Sequence, residues 1–275
     1  MNKELIVRSI NSAVDYALLQ DGRLIELHRE KDNNKFGVGD IFISKIKKTI
    51  SGLNASFVDV GYEKDAFLHY HDLGPRVRSL IKFTNLVSDG KITNYSLEKF
   101  KFEKEIEKQG KIDDVINANQ KLLVQIIKEP ISTKGPRISS ELSFAGRFLV
   151  LIPFSNRISV SQKISSRDER NRLKDLIEEF RPKGFGVIIR TVAQGKKTAE
   201  LSKDLQSLYT QWINLCKKIN GSKVPSRILS ELNRGSSILR DVFDEKFKGV
   251  YCLSLIHISE PTRPRLISYA VFCLK

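Results

Sequence analysis

Cysteine is scarce: only three occur in 275 residues. Cys216, Cys252 and Cys273 stand late in the chain and far apart, with no CxxC pair and no Cys/His ligand spacing. That excludes a readable zinc knuckle or disulfide framework, and makes a reducing cytoplasm the expected compartment. Proline (8) and glycine (16) are too few for a collagen-like or low-complexity chain. No run approaches the roughly 18 apolar residues of a membrane-spanning helix. The start, MNKELIVRSINSAVDY, carries charges throughout and no apolar h-region, so it does not read as a signal peptide. Acidic residues are also short, 32 against 47 Lys+Arg, for a formal net charge of +15. The 40% hydrophobic content is still enough for a packed core and too much for a disordered chain. A sequence pI near 9.7 points to a polyanionic partner, nucleic acid first and an anionic membrane surface second.

Strands dominate the first part. Leu5–Val7, Ala13–Leu19 and Arg23–Leu27 are apolar or alternating, and Asp21-Gly22 is a hairpin signal. The polar stretch 31–35 reads as a linker. Strands are then expected over 38–46, 55–61 and 65–69, and this close spacing suggests a small barrel. Residues 72–118, with KFKFEKEIEKQGK inside, read as a partly helical surface insertion. Another strand follows over 122–127, and a loop over 128–137. The rest alternates: strands at 148–152 and 186–190, helices at 167–181 and 198–219. Leu201, Leu205, Leu208, Trp212 and Leu215 give the second helix its apolar stripe, and Gly221 and Pro225 end it.

Few residues suggest chemistry. Phe57 and Phe67 sit on expected barrel strands, where exposed aromatics stack unpaired bases. By pattern alone, a strand phenylalanine is more often core. Lys128 and Lys134 flank them as phosphate contacts. Arg190-Thr191 ends an apolar strand, placing five guanidinium donors and a hydroxyl where a terminal phosphate would fit. A surface arginine at a strand end reads the same way locally. The Gly195-Lys196-Lys197 turn adds positive charge and, before a helix, free N–H groups, without the Walker A spacing. Asp113, Asp114, Asp241 and Asp244 form no acid/base pair and read as solvated charges. His28, His69, His71 and His257 lack ligand spacing; His69-x-His71 alternates on an expected strand, too little for a metal site.

Four segments occur in order: LNASFVDVGYEKDAFLH, ISSELSFAGRFLVLIP, GFGVIIRTVAQGKKTAEL and PSRI…ILRDVF. Together they resemble the amino-terminal half of the ribonuclease E/G family. The resemblance implies an α+β, multidomain fold: an S1-type OB barrel inserted in an RNase-H-like subdomain and followed by an α/β 5′-sensor domain. Its expected boundaries are 1–37 and 223–251 for the RNase-H-like segments, 38–135 for the barrel with insertion 72–118, and 136–222 for the sensor. By motif, Phe57 and Phe67 would be the RNA-stacking aromatics, with Lys128 and Lys134 on the RNA-facing edge. Gly146, Val150, Arg190 and Thr191 would line a pocket for the 5′-monophosphate. The chain departs from the pattern at Val60, where some members carry a stacking tyrosine, and in its long insertion.

The resemblance also implies a single-stranded RNA partner with a 5′-monophosphate, no membrane, a homo-oligomeric full-length protein, and magnesium (Mg2+) as the full-length enzyme's cofactor. In the family, two later aspartates bind that magnesium and a CPxC-type pair shares a zinc ion between subunits. Both would follow residue 251, and neither is in this sequence, so this chain is expected to bind RNA without cutting it and to hold no catalytic or metal residues of its own. The last segment, 252–275, matches nothing of the family. LSLIHISEPTR resembles the translation of a transposon-based sequencing adapter, so the tail is expected to be an assembly artefact. Two other readings stay open: a stand-alone, non-catalytic S1-type RNA-binding protein, and a basic membrane-surface protein.

Overall fold

The alternating strands near the amino terminus and the strands and helical stripes that follow them fall in two units, residues 1–35 with 232–275 and residues 36–231. The computed structural model describes residues 2–10, 13–31, 36–231, 237, 240, 241 and 247–254. The 32–35 part of the expected linker, Asp244, His257, Cys273 and tail residues 255–275 lie outside the described residues.

In the first unit, β1 (Lys3–Ile10), β2 (Ala13–Gln20) and β3 (Arg23–Lys31) form an antiparallel meander. Asp21 and Gly22 turn the hairpin with φ of 50° and 77°, the left-handed pair that matches strand twist. β1's other edge pairs in parallel with β14 (Phe247–Ser254), which runs through Cys252 and Leu253. Leu5 and Tyr16 are the buried centre, with Val7, Val14, Phe247 and Val250 packed against them.

In the second unit, β4 (Ile41–Ile50), β5 (Ala55–Asp59), β6 (Ala66–His69), β7 (Lys121–Lys128) and β8 (Arg137–Ser139) close into a five-stranded barrel. The strand order is β4-β5-β6-β8-β7, and β7 returns to β4 through Ile41↔Gln125 to Lys45↔Lys121. Closure leaves the barrel with no open edge between these strands. Val58, Ala66, Leu68, Leu122, Val124 and Ile138 are wholly buried. β4 starts at Ile41, later than residue 38, because Gly39 has φ of 98° in a turn closed by Asp40 N–H to Gly37 O (3.1 Å).

α1 (Val77–Ser88) packs against β7 and buries Val77, Leu80, Phe83, Thr84 and Val87. Residues 72–118 are therefore no surface appendage. Leu97, Ile112 and Ile116 are buried, and Phe100 and Phe102 surround Phe83 and Phe154. The lysine count of this segment hides its alternation: Phe100 and Phe102 turn inward, and Lys101 between them and Glu103 after them turn outward.

A second sheet, β9 (Phe144–Ala145), β10 (Leu149–Pro153), β11 (Ile158–Val160) and β12 (Phe185–Ile189), has the order β11-β12-β10-β9. α2 (Arg167–Phe180), capped by the Ser166 hydroxyl, packs on β11; α3 (Thr198–Ile219) packs on β10. Trp212 on α3 is wholly buried among Phe83, Phe144, Phe154 and Phe185, and donates its Nε1–H to Tyr95 O (2.9 Å). It joins both layers of the unit. β13 (Ser226–Leu229) pairs with the first residues of β4, and Arg227 bonds Asp40. No helix among the described residues is long and apolar enough to cross a membrane.

Candidate nucleic-acid interface

β5 and β6 each place alternate residues inside the barrel. Ser56, Val58, Ala66 and Leu68 are buried; Phe57 and Phe67 between them are half-buried and face outward. The phenylalanines are therefore not core. Register sets them side by side, with ring centroids 5.9 Å apart in an edge-to-face pair.

The same register extends the pair into a row. Lys48 of β4 lies opposite Phe57, Phe57 opposite Phe67, Phe67 opposite Arg137 of β8, and Arg137 opposite Lys128 of β7. Facing partners of a sheet share a face, so five strands present cation, ring, ring, cation, cation. The Lys48 ammonium stands 5.3 Å from the Phe57 centroid. Arg137 is held by a bidentate pair with Asp72 (2.8 and 3.1 Å), which raises the arginine further above its ordinary value. Lys47 is engaged by Asp65 (2.6 Å), whereas Lys128 is exposed.

Lys134 is exposed on a loop whose end runs beside this face. Ile131 and Lys134 exchange backbone hydrogen bonds, and Phe67 N–H donates to Pro136 O (2.9 Å), so the loop runs along β6. Gly135 makes the approach possible: a Cβ there would lie 2.2 Å from Asp65 O. Val60, where the resemblance implies a stacking tyrosine in some members, is buried and offers no ring.

A second group lies at one end of the other sheet. Arg190 follows β12, and its Nη1–H donates to Gly146 O (2.7 Å) while its backbone N–H donates to Phe148 O. Val150, opposite Ile188 in the register, shares the Arg190 face. Thr191 turns to Ser161, hydroxyl to hydroxyl at 2.8 Å. The structure thus brings Gly146, Val150 and Arg190 onto one strand end, with Thr191 at its border.

Asp204 on α3 holds that end together. Its carboxylate accepts from the backbone N–H groups of Arg147, Phe148 and Leu149 at 3.2, 2.9 and 3.0 Å. It also fills the space over Gly146, where a Cβ would lie 2.6 Å from Oδ2. Sequence reasoning missed Asp204. The signal was a carboxylate between Leu201, Leu205 and Leu208, on the helix stripe that faces the core. It missed Lys48 and Arg137 as well, because strand register joins them to the phenylalanines.

The turn 195–197 differs from expectation. Its N–H groups are all used: Gly195 donates to Glu169 Oε1, Lys196 to Ala193 O, and Lys197 to Glu200 Oε2. Glu169 bonds Arg172 and Gly195, and these hold its carboxyl down at about 2. The positive charge remains, with Lys196 5.7 Å from the Phe148 ring.

Asp113 is likewise held below its ordinary value by Ser51 and Thr49, and Asp241 bonds Arg240. Burial pushes the Cys216 thiol up, away from a reactive thiolate. Among the described residues, no group of three or more His, Cys, Asp or Glu side chains is placed to hold a metal ion.

The fold and its two patches define a basic α+β protein built around a closed five-stranded barrel with an outward ring-and-cation row. The "Ribonuclease E/G family" model matches residues 143–259. Ribonuclease G of Escherichia coli (strain K12) is 30% identical over 250 residues, 91% of this chain and 47% of the relative. Ribonuclease E of Nostoc sp. is 30% identical over 207 residues, 75% of this chain and 26% of the relative. A ribonuclease E/G-like protein of Porphyra purpurea is 31% identical over 219 residues, 79% and 38%. The chain belongs to the ribonuclease E/G family. It spans about half the length, 47%, of the first of these curated relatives and less of the others.

Proposed function

We propose that this chain is the RNA-binding and 5′-monophosphate-sensing part of a ribonuclease E/G-type endoribonuclease acting in RNA processing and decay in the cytoplasm. Residues 38–135 are the S1-type barrel and grip single-stranded RNA; residues 136–222 are the sensor and read its 5′ end. Residues 1–37 and 223–251 contribute to the RNase-H-like subdomain. Cleavage and its magnesium belong to the homo-oligomeric full-length protein, and the chain by itself binds without cutting.

One observation carries this reading: the Lys48–Phe57–Phe67–Arg137–Lys128 row. Two outward rings between cations suit a strand whose bases stack while its phosphates pair with lysines. Each base stacked on an aromatic contributes about 1–3 kcal/mol. No base edge is read by such contacts, so binding would tolerate many sequences.

The second patch suits an end group. A guanidinium fixed by Gly146 O, a hydroxyl from Thr191 and the wall of Val150 would hold a terminal phosphate as Arg forks hold carboxylates and phosphates. Asp204 acts through the backbone and sets the position of the Gly146 turn.

The test is direct binding of unstructured RNA carrying a 5′-monophosphate or a 5′-hydroxyl to the 275-residue chain, with magnesium present. The expected result is binding of both RNAs, tighter for the monophosphate, and no cleavage. Absence of RNA binding would reject the reading, and magnesium-dependent cleavage would reject the assignment of chemistry to the rest of the protein.

A further inference from the structure

The His69-x-His71 pair has no part in the account above. A strand would carry both histidines on one side by alternation; the chain does something different. β6 stops at His69, and Tyr70–Asp72 forms a single 3-10 turn. Tyr70 is buried and its hydroxyl donates to Glu107 O, which anchors the turn. The His71 backbone N–H donates to His69 Nδ1 (3.2 Å), and the two imidazoles come to 5.0 Å between centroids. His69 in turn stacks beside Phe67, at 6.4 Å and 28° between planes.

We propose that His69 and His71 extend the RNA-binding surface, prolonging the ring row beyond Phe67 to take further unpaired nucleobases of the same strand. The proposal rests on the barrel face being the RNA-binding surface. Phe57, Phe67, His69 and His71 make a series with successive centroid separations of 5.9, 6.4 and 5.0 Å. His69 is half-buried and His71 exposed, so neither fills the core. No third ligand accompanies them among the described residues, so the pair does not fit a metal site. The rings beside them are Phe67 of the row, next to His69, and the buried Tyr70, 6.1 Å from His71. Flat rings stack on any base, and a neutral imidazole whose Nδ1 accepts a hydrogen bond carries its proton on Nε2, a donor for a base edge or phosphate.

The experiment compares binding of an unstructured RNA of roughly 12 nucleotides to the full chain and to H69A/H71A, H69F/H71F, H71A and F57A/F67A. H69A/H71A should weaken binding about tenfold, and H69F/H71F, which keeps the rings, should stay within about threefold of wild type. H71A removes an exposed side chain and should weaken binding by an intermediate factor with an unchanged Tm, which separates binding from folding. If H69A/H71A and H71A bind like wild type while F57A/F67A does not, the row ends at Phe67 and this inference fails alone. If H69F/H71F loses as much as H69A/H71A, stacking is not the interaction and the inference also fails. If F57A/F67A binds like wild type, the barrel reading fails and takes the inference with it.

Discussion

The barrel face and the Arg190 strand end are built in opposite ways. On the barrel, the candidate groups are rings and lysine stems set in place by register. Phe57, Phe67 and Lys128 are positioned by which residue faces which. At the strand end, groups are fixed by hydrogen bonds: Arg190 to Gly146, Asp204 to three consecutive N–H groups, Thr191 to Ser161. Stacking is tolerant of sequence and rewards area. Directed donors discriminate, because a site built to bond one group rejects the ligand that lacks it. On the proposed function, this contrast makes grip and end recognition separable within one unit.

The largest expected effect falls on grip. F57A/F67A removes both rings and leaves the barrel interior, made by Val58, Ala66 and Leu68, in place. RNA affinity should drop about thirtyfold or more, since two stacks at about 1–3 kcal/mol each are lost. A filter-binding titration checks it, with near-UV and far-UV dichroism as the fold control.

Next comes recognition. R190A should leave affinity for 5′-hydroxyl RNA within about twofold, and should erase the preference for a monophosphate. A charged hydrogen bond is worth about 1.5–3 kcal/mol, so the lost preference is roughly tenfold or more. Competition between the two RNAs reads the ratio directly.

Gly135 tests how the barrel row is positioned. Gly135→Ala puts a Cβ 2.2 Å from the Asp65 carbonyl, which is backbone and has little room to yield. The loop carrying Lys134 should move off β6, with a stability loss of about 1–3 kcal/mol and a several-fold loss of RNA affinity. Thermal unfolding and titration together check this, and Thr133→Ala in the same exposed loop serves as a control.

The smallest effect concerns the turn beside the strand end. Glu169 has an ordinary value of 4.5 and is held at about 2, first by Arg172 and then by Gly195 N–H. A lowered folded-state value contributes stability that is complete above 4.5 and is lost as pH falls toward about 2. Protection of the Gly195 amide from hydrogen exchange should therefore persist at neutral pH and decline across that window, while the barrel amides keep theirs longer. An amide whose protection ignores acid down to the bottom of the window would contradict this.

Much of the fold was readable because its signals are local. Leu201, Leu205, Leu208, Trp212 and Leu215 spell one helical face, and α3 runs over Thr198–Ile219 as that stripe predicts. Asp21-Gly22 marks its hairpin in two residues. Residues 72–118 were misread because lysines outnumber the phenylalanines that decide burial. Phe57 and Phe67 were legible as candidates, but whether they were core or surface depended on which way the alternation of β5 and β6 faced. Lys48 and Arg137 were not legible at all: they meet the rings only through pairings that barrel closure creates. Asp204 lies 58 positions from Gly146 (204 − 146) and is joined to it by tertiary packing. His71 was expected on a strand, and a 3-10 turn carries it.

The most direct test of separable grip and recognition is a single binding matrix: wild type, F57A/F67A and R190A against matched RNAs with 5′-monophosphate or 5′-hydroxyl. The account predicts that F57A/F67A weakens both RNAs by the same factor and keeps their ratio, while R190A keeps hydroxyl-RNA affinity and brings the ratio to one. If R190A weakens both RNAs equally, or if F57A/F67A abolishes only the preference, the two patches do not divide the work in this way and the account is wrong.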